Sequence, residues 1–250
     1  MQDFTLTTYK KFLQDLLAKG YSFQFLQSFI QKPENKTIIL RHDVDRKPEN
    51  ALVIANIEKE VGIKSSYYFR IVKESYDEDI IRQIAKMGHE IGYHYEDLDL
   101  SWRGLRSEVR SQEEIEVGGL KSEVRRAKAS VVDRPGEIRP STIFRTYGIN
   151  FARHLREFHW VKKSEVRGQK ELDYDALLDK AIKSFEINLS ALRKIYPVKT
   201  ICMHGSPLSK YDNKEIWKKY DYRDYGIIAE PYFDVDFDKV FYMTDKGRKI

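Results

Sequence analysis

The stretch TIILRHDVDRKPEN, residues 37–50, carries the strand, turn and helix signals that decide the fold. Its first four residues, 37–40, form a short apolar run with β-branched members, which is typical of a buried strand. A polar turn follows, and the proline suits the first turn of a helix over 48–61 that Gly62 closes. A second apolar run occupies 63–71. The order strand, helix, strand predicts a parallel βαβ unit.

The same alternation continues on both sides of this unit. The other predicted elements are an N-terminal helix capped by Thr7 or Thr8 and stopped at Gly20, a helix at 77–87, a strand at 89–95, a long helix capped by Asp173, a strand at 198–203, and later strand candidates at 225–228 and 240–243. Strands that alternate with helices predict an α/β fold with parallel strands. We expect a distorted or incomplete (β/α) barrel.

Residues 101–170 interrupt this pattern. The word Ser-Glu-Val-Arg occurs there three times, at 107–110, 122–125 and 164–167, with spacings that fit no known structural repeat. We therefore predict one domain made of residues 1–100 and 171–250, interrupted by a basic, repeat-containing and flexible insertion at 101–170. A short helix near 150–160 is possible within the insertion.

The insertion also accounts for the charge of the chain, whose net value is +5. It holds 16 Lys and Arg residues against 9 Asp and Glu, whereas the rest of the chain holds 28 against 30. Glutamates are interleaved with the arginines, which favours a solvated mixed-charge segment over a surface for phosphates. We predict no nucleic-acid partner, while the oligomeric state is open.

The sequence contains neither a secretory signal nor a run of apolar residues long enough to span a membrane. Its one cysteine, Cys202, excludes a disulfide within the chain. These observations predict a cytoplasmic location.

Polar residues collect where three predicted strands end, and in parallel α/β folds such ends meet on one face. Asp43 and Asp45 are two apart, so in extended backbone their carboxylates project to the same side. His94 lies at the end of the third strand, and His204 follows the strand at 198–203. Paired carboxylates with an imidazole are typical of a divalent metal site. Each residue alone also has a structural interpretation, as a turn residue, a helix cap or a buried histidine.

Two of these segments resemble motifs of the polysaccharide deacetylases, carbohydrate esterase family 4. Asp43-Val44-Asp45 is similar to the paired aspartates of the first motif, and GHEIGYH at 88–94 matches the second motif in full. The resemblance implies a barrel of the polysaccharide deacetylase type and a metal-dependent hydrolase that removes N-acetyl groups from an amino sugar or glycan precursor. The mixed set of carboxylate and imidazole ligands favours Zn²⁺ as the metal. The resemblance also implies that Asp43 is the general base and that Asp45 and His94 bind the metal.

Three departures from the family affect these expectations. The position of the family's next metal-binding histidine is Leu98, so we expect Glu96 as the third ligand, with Asp97, Asp99 or water as alternatives. The family's late histidine segment is missing, which suggests a truncated member, and His204 can stand in as the general acid. The alternative to an active enzyme is a catalytically impaired carbohydrate-binding relative.

Overall fold

The computed structural model describes residues 5–107, 173–205, 209–238 and 240. The chain divides into two compact units, one of residues 1–101 and 178–250 and the other of residues 102–177. Of the second unit, the structure describes 102–107 and 174–177 as helical. The predicted insertion, with its possible helix near 150–160, lies almost wholly outside the described residues.

The first unit is built on a four-stranded parallel sheet with the strand order β3-β4-β5-β6. The sheet curls into a half-barrel, which confirms the expected α/β fold and is compatible with an incomplete barrel. A separate parallel pair, β1 and β2, lies outside this sheet. The strands are β1 (Ser22–Phe23), β2 (Thr37–Ile38), β3 (Arg41–Val44), β4 (Ser66–Phe69), β5 (Glu90–Tyr95) and β6 (Ile201–Met203).

Helices connect and flank the strands. They are α1 (Leu6–Ala18), α2 (Leu26–Gln31), α3 (Pro48–Glu60), α4 (Glu78–Lys86), α5 (97–107), α6 (Tyr174–Arg193), α7 (Pro231–Asp234) and the 3-10 helices Asn213–Lys218 and Tyr222–Tyr225. Within the part of the chain that the structure describes, none of the helices has both the length and the apolar composition to cross a bilayer.

The predicted strand at 37–40 was wrong in its position. Residues 37–38 pair with β1, and the strand that enters the main sheet is β3, which carries the polar residues Arg41, His42 and Asp43. The apolar pattern did not predict this strand because its side chains are polar. The sheet accommodates them because Arg41 contacts Asp43 and His42 contacts Glu58. Asp43 therefore lies within a strand and not after its end.

Other boundaries moved by smaller amounts. Helix α1 is capped by Thr5, whose hydroxyl accepts from the Thr8 N–H, and not by Thr7 or Thr8. The strand candidate at 225–228 was wrong, because Tyr225 ends a 3-10 helix and Gly226 then takes a left-handed φ of 69°. Residues 241–243 of the last candidate lie outside the described residues. The caps at Gly20 and Asp173 are confirmed.

The strands alternate between an inner and an outer face. Register pairs Asp43 with Tyr68 and Tyr68 with Gly92, so these three share the inner face. Gly92 is required there, because a Cβ atom would overlap the Tyr68 ring and lie 3.0 Å from the Thr200 carbonyl oxygen. The segment GHEIGYH at 88–94 therefore has a role in packing, whatever the chemistry of His94.

The outer face holds a buried carboxylate with its own set of donors. Both oxygens of Glu58 on α3 accept two hydrogen bonds each, from the Tyr9 hydroxyl (2.5 Å) and His42 Nε2 (2.7 Å) on one, and from the Tyr67 hydroxyl (2.7 Å) and Ser65 on the other. We call these five residues the Glu58 network. They join α1, α3, β3 and β4 into one core.

Candidate metal centre

The candidate site lies at the carboxyl ends of β3, β5 and β6. Asp45 follows β3, His94 is the fifth residue of β5, and His204 follows β6. Sheet register pairs His94 with Cys202, which places His204 one pleat further on, at the same edge of the sheet. The structure therefore brings together three residues that the sequence places at separate strand ends. We call Asp45, His94 and His204 the Asp45 cluster.

Both imidazoles of the cluster face the same carboxylate oxygen. The Nε2 atoms of His94 and His204 each lie 3.5 Å from Asp45 Oδ1. The two rings stand nearly perpendicular, with their centroids 5.1 Å apart. One ligand atom from each residue lies within 4.8 Å of the other two, so the three can converge on a single ion.

The protonation of His94 follows from its second contact. Its Nδ1 atom lies 2.9 Å from the carbonyl oxygen of Cys202, in a buried position. A carbonyl can only accept, so Nδ1 carries the proton and donates it. Nε2 is then the nitrogen that faces Asp45. It donates to the carboxylate while the ring is protonated, and in the neutral ring it presents the lone pair that a metal ligand needs.

Asp45 is suited to act as a ligand because it stays ionised. Its hydrogen-bonding contact with His94 holds the pKa of the carboxyl below its ordinary value, although partial burial opposes this. Nearly half of the side chain, 49%, is exposed, whereas His94 is 3% exposed. The cluster is therefore buried at His94 and open to solvent at Asp45.

Asp43, the predicted general base, borders the cluster. Its Oδ2 atom lies 3.1 Å from the Arg41 guanidinium, and its side chain is 30% exposed. Asp43 also forms a second group of possible ligands with His94 and Cys202. The Cys202 thiol is neutral, since burial and then the nearby Asp43 charge raise its pKa well above the usual range.

Glu96, the predicted third ligand, is occupied elsewhere. The Arg70 guanidinium donates to both of its oxygens, at 2.7 and 2.8 Å. Burial works to raise the pKa of Glu96, but the contacts with His204 and Arg70 outweigh it and leave the pKa below its ordinary value. His204, which we expected to be the general acid, lies in the position where we expected Glu96 as the third ligand.

The alternative ligands lie apart from the cluster. Asp97 is fully buried and accepts hydrogen bonds from Tyr93, Ser184 and Asn188, and its burial raises its pKa to about 6. Among the described residues, neither Asp97 nor Asp99 contributes to a group of possible metal ligands. Leu98 is buried in the core, and its N–H donates to Asn213.

Sequence reasoning missed His204 as a possible metal ligand, and it missed the contacts of Arg70 with Glu96 and Asp45. The available signal for His204 was its place at the end of a strand parallel to those that carry Asp45 and His94. Arg70 had no local signal, because its contacts reach residues 25 and 26 positions away.

No family model, curated protein or solved structure matches this chain. The function must therefore be argued from the residues of the Asp45 cluster and their surroundings.

Proposed function

We propose that this chain is a metal-dependent hydrolase of the polysaccharide deacetylase type, which removes N-acetyl groups from an amino sugar or glycan precursor. The observation that carries the proposal is the placement of two imidazole Nε2 atoms at 3.5 Å from one oxygen of Asp45. The motif resemblance at 43–45 and 88–94 supports the choice of reaction.

The residues of the cluster fit a divalent metal, most of all Zn²⁺. Two histidines and one carboxylate are a frequent ligand set of catalytic zinc sites, which keep a further position open for water or substrate. The Cys202 carbonyl fixes the ring of His94, and such second contacts are typical of metal-binding histidines. We propose Asp45, His94 and His204 as the ligands.

The protein's own residues supply the remaining chemistry. When bound, Zn²⁺ provides Lewis acidity and lowers the pKa of its water to about 7. Asp43 is two residues before Asp45 and accepts the proton of the attacking water. Arg41, at 3.1 Å, orients the Asp43 carboxylate for this task. We propose His204 as a metal ligand in place of the general-acid role that we expected from the sequence.

The substrate we propose is an N-acetylated sugar precursor met in the cytoplasm. Cys202 is a free thiol in the structure, which suits a reducing compartment. A nucleotide- or lipid-linked sugar is the corresponding substrate class.

The decisive experiment measures metal content and acetate release together. The purified chain is loaded with Zn²⁺, dialysed, analysed for metal, and incubated with N-acetylglucosamine oligomers and with a nucleotide-linked N-acetyl sugar. We expect about one ion per chain in the wild type and loss of stoichiometric binding in Asp45→Ala, His94→Ala and His204→Ala. Asp43→Asn should keep the metal and lose acetate release. Asp15→Ala, at an exposed position of α1, is the matched control.

Three outcomes separate the active enzyme from its alternative. Metal binding with acetate release supports the deacetylase. Metal or sugar binding without hydrolysis of any N-acetyl sugar supports the impaired carbohydrate-binding relative. A folded wild type that binds no divalent metal rules out the proposed enzyme.

A further inference from the structure

We propose that Arg70 and Glu96 are positioning residues of the Asp45 cluster: Arg70 holds Glu96 and the Asp45 backbone, and Glu96 orients the His204 ring. The inference rests on the proposed metal centre. It makes Glu96 a residue that supports a metal ligand, and not a ligand itself. Three sets of contacts support it.

The first set of contacts is the pair of parallel hydrogen bonds between Arg70 and Glu96, which we call the fork. Arg70 Nε and Nη2 donate to the two oxygens of Glu96 at 2.7 and 2.8 Å, and the Glu96 side chain is only 4% exposed. A planar guanidinium that binds a carboxylate with two parallel bonds fixes both its position and its rotation. Glu96 is thereby held at the edge of the cluster.

The second set of contacts connects Arg70 to the end of β3. Its remaining nitrogen, Nη1, donates to the main-chain oxygen of Asp45 at 3.2 Å. Its backbone N–H donates to Ser75 Oγ at 3.1 Å, and the Ser75 hydroxyl in turn donates to the Val44 carbonyl oxygen. One side chain thus links the loop that carries Asp45 to the end of β5.

The third is the approach of Glu96 to His204. Glu96 Oε2 lies 3.2 Å from His204 Nδ1, which is an ion-pair distance. Among the described residues, this buried Nδ1 atom has no hydrogen-bond partner, and the Glu96 carboxylate is the acceptor that lies 3.2 Å from it. A carboxylate at Nδ1 favours the proton there and leaves the lone pair on Nε2, which faces Asp45.

The two histidines are therefore supported in parallel ways. The Cys202 carbonyl faces Nδ1 of His94 at 2.9 Å, and the Glu96 carboxylate faces Nδ1 of His204 at 3.2 Å. Each oxygen directs an Nε2 atom toward Asp45 Oδ1. Glu96 as a direct ligand would turn its free lone pair to the ion and would leave His204 Nδ1 without this support.

The test is the Zn²⁺ affinity of the full chain, measured by competition with a chromogenic chelator. We expect Glu96→Gln and Arg70→Met each to weaken binding by about 10- to 100-fold, as removal of a second contact to a metal-binding histidine does. Arg70→Lys should recover only part of the loss, because lysine cannot form the fork. The exposed pair of Glu78 and Arg82 provides the matched controls Glu78→Gln and Arg82→Met, which should bind as the wild type does.

Two further measurements separate positioning from direct ligation. In the His204→Ala background, Glu96→Gln should cause no additional loss of affinity, since Glu96 acts through His204. X-ray absorption should show two imidazoles on the metal in Glu96→Gln, as in the wild type. Circular dichroism melting confirms that each variant is folded.

Several results would overturn the inference. Unchanged or tighter binding in Arg70→Met would contradict the positioning role, and so would an independent loss in the double variant. If the wild type binds metal and Glu96→Gln matches it, only this inference fails. If the wild type binds none, the proposed function and the inference fail together.

Discussion

Glu58 and Asp45 are carboxylates beside histidine rings on opposite faces of the half-barrel, and their surroundings differ in kind. Glu58 is fully buried and accepts four hydrogen bonds, two on each oxygen. Asp45 is half exposed, and the two imidazole nitrogens that face it stop at 3.5 Å. Glu58 has no acceptor capacity left for a ligand, whereas the Asp45 cluster has the space and the lone pairs for an ion. Burial of a charge beside a histidine therefore does not by itself mark a functional site.

The largest expected effect is on stability and comes from the Glu58 network. Glu58→Ala removes the acceptor of four buried donors, and we expect the free energy of unfolding to fall by about 3–5 kcal/mol. The affinity for Zn²⁺ should be unchanged, because the network lies on the other face of the sheet. Urea unfolding and chelator competition measure the two quantities.

The control for this variant is Glu60→Ala, two residues on in α3. Glu60 pairs with Lys10 at the surface and has a side chain that is 61% exposed, so its loss should cost less than about 1 kcal/mol. Equal losses in the two variants would contradict the structural role of the Glu58 network.

Acid should weaken the same network. Burial works to raise the pKa of Glu58, but hydrogen bonds from His42, Ser65 and Tyr9 outweigh it and lower the pKa from 4.5 to about 2. A carboxyl whose pKa is lower in the folded state contributes stability above its unfolded pKa, and the contribution is lost as the pH falls. We expect a contribution of about 3 kcal/mol that disappears between pH 4.5 and about 2.

The comparison of wild type with Glu58→Gln isolates this effect. Their difference in unfolding free energy should shrink over that pH interval and stay constant above it. A difference that stays constant down to pH 2 would show that the Glu58 carboxylate has an ordinary pKa in the folded chain.

A smaller effect, on both stability and metal affinity, is expected at Gly92. The added methyl of Gly92→Ala meets the Tyr68 ring and the Thr200 carbonyl, so we expect a loss of about 1–3 kcal/mol. Because His94 follows two residues later on the same face, the displaced strand should also weaken metal binding. Gly104→Ala, in open space on α5, should not destabilise the chain. Loss of stability with full metal affinity would show that the packing around Gly92 and the position of His94 adjust independently.

The sequence predicted those parts of the fold that local pattern controls. Helices α3 and α4 and strand β5 lie within a residue or two of their predicted bounds, because each has strong periodicity and a glycine or proline at an end. Strand β3 was missed because its stability comes from Arg41–Asp43 and His42–Glu58 contacts, which apolar periodicity does not register.

The site was predictable only to the level of which strand ends hold it. Asp45 and His94 came from motifs, but the position of His204 depends on the register that pairs His94 with Cys202, 108 positions along the chain. The fork between Arg70 and Glu96 is another tertiary contact. The expectation that Glu96 is the third ligand rested on its spacing of two residues from His94. That spacing places Glu96 on the correct face, but it does not show that Arg70 already binds the Glu96 carboxylate.

The smallest expected effect is on the stability of the metal-free chain when the Asp45 cluster is changed. Asp45→Asn removes a charge that is 49% exposed and keeps the shape of the side chain, so the metal-free free energy of unfolding should change by less than about 0.5 kcal/mol. With Zn²⁺ at 100 times its dissociation constant, the wild type should gain about 2.7 kcal/mol, and the variant should gain far less. Urea unfolding with and without Zn²⁺ measures both. A variant that is strongly destabilised without metal would place Asp45 in the same class as Glu58, because its carboxylate would then be needed by the fold and not by an ion.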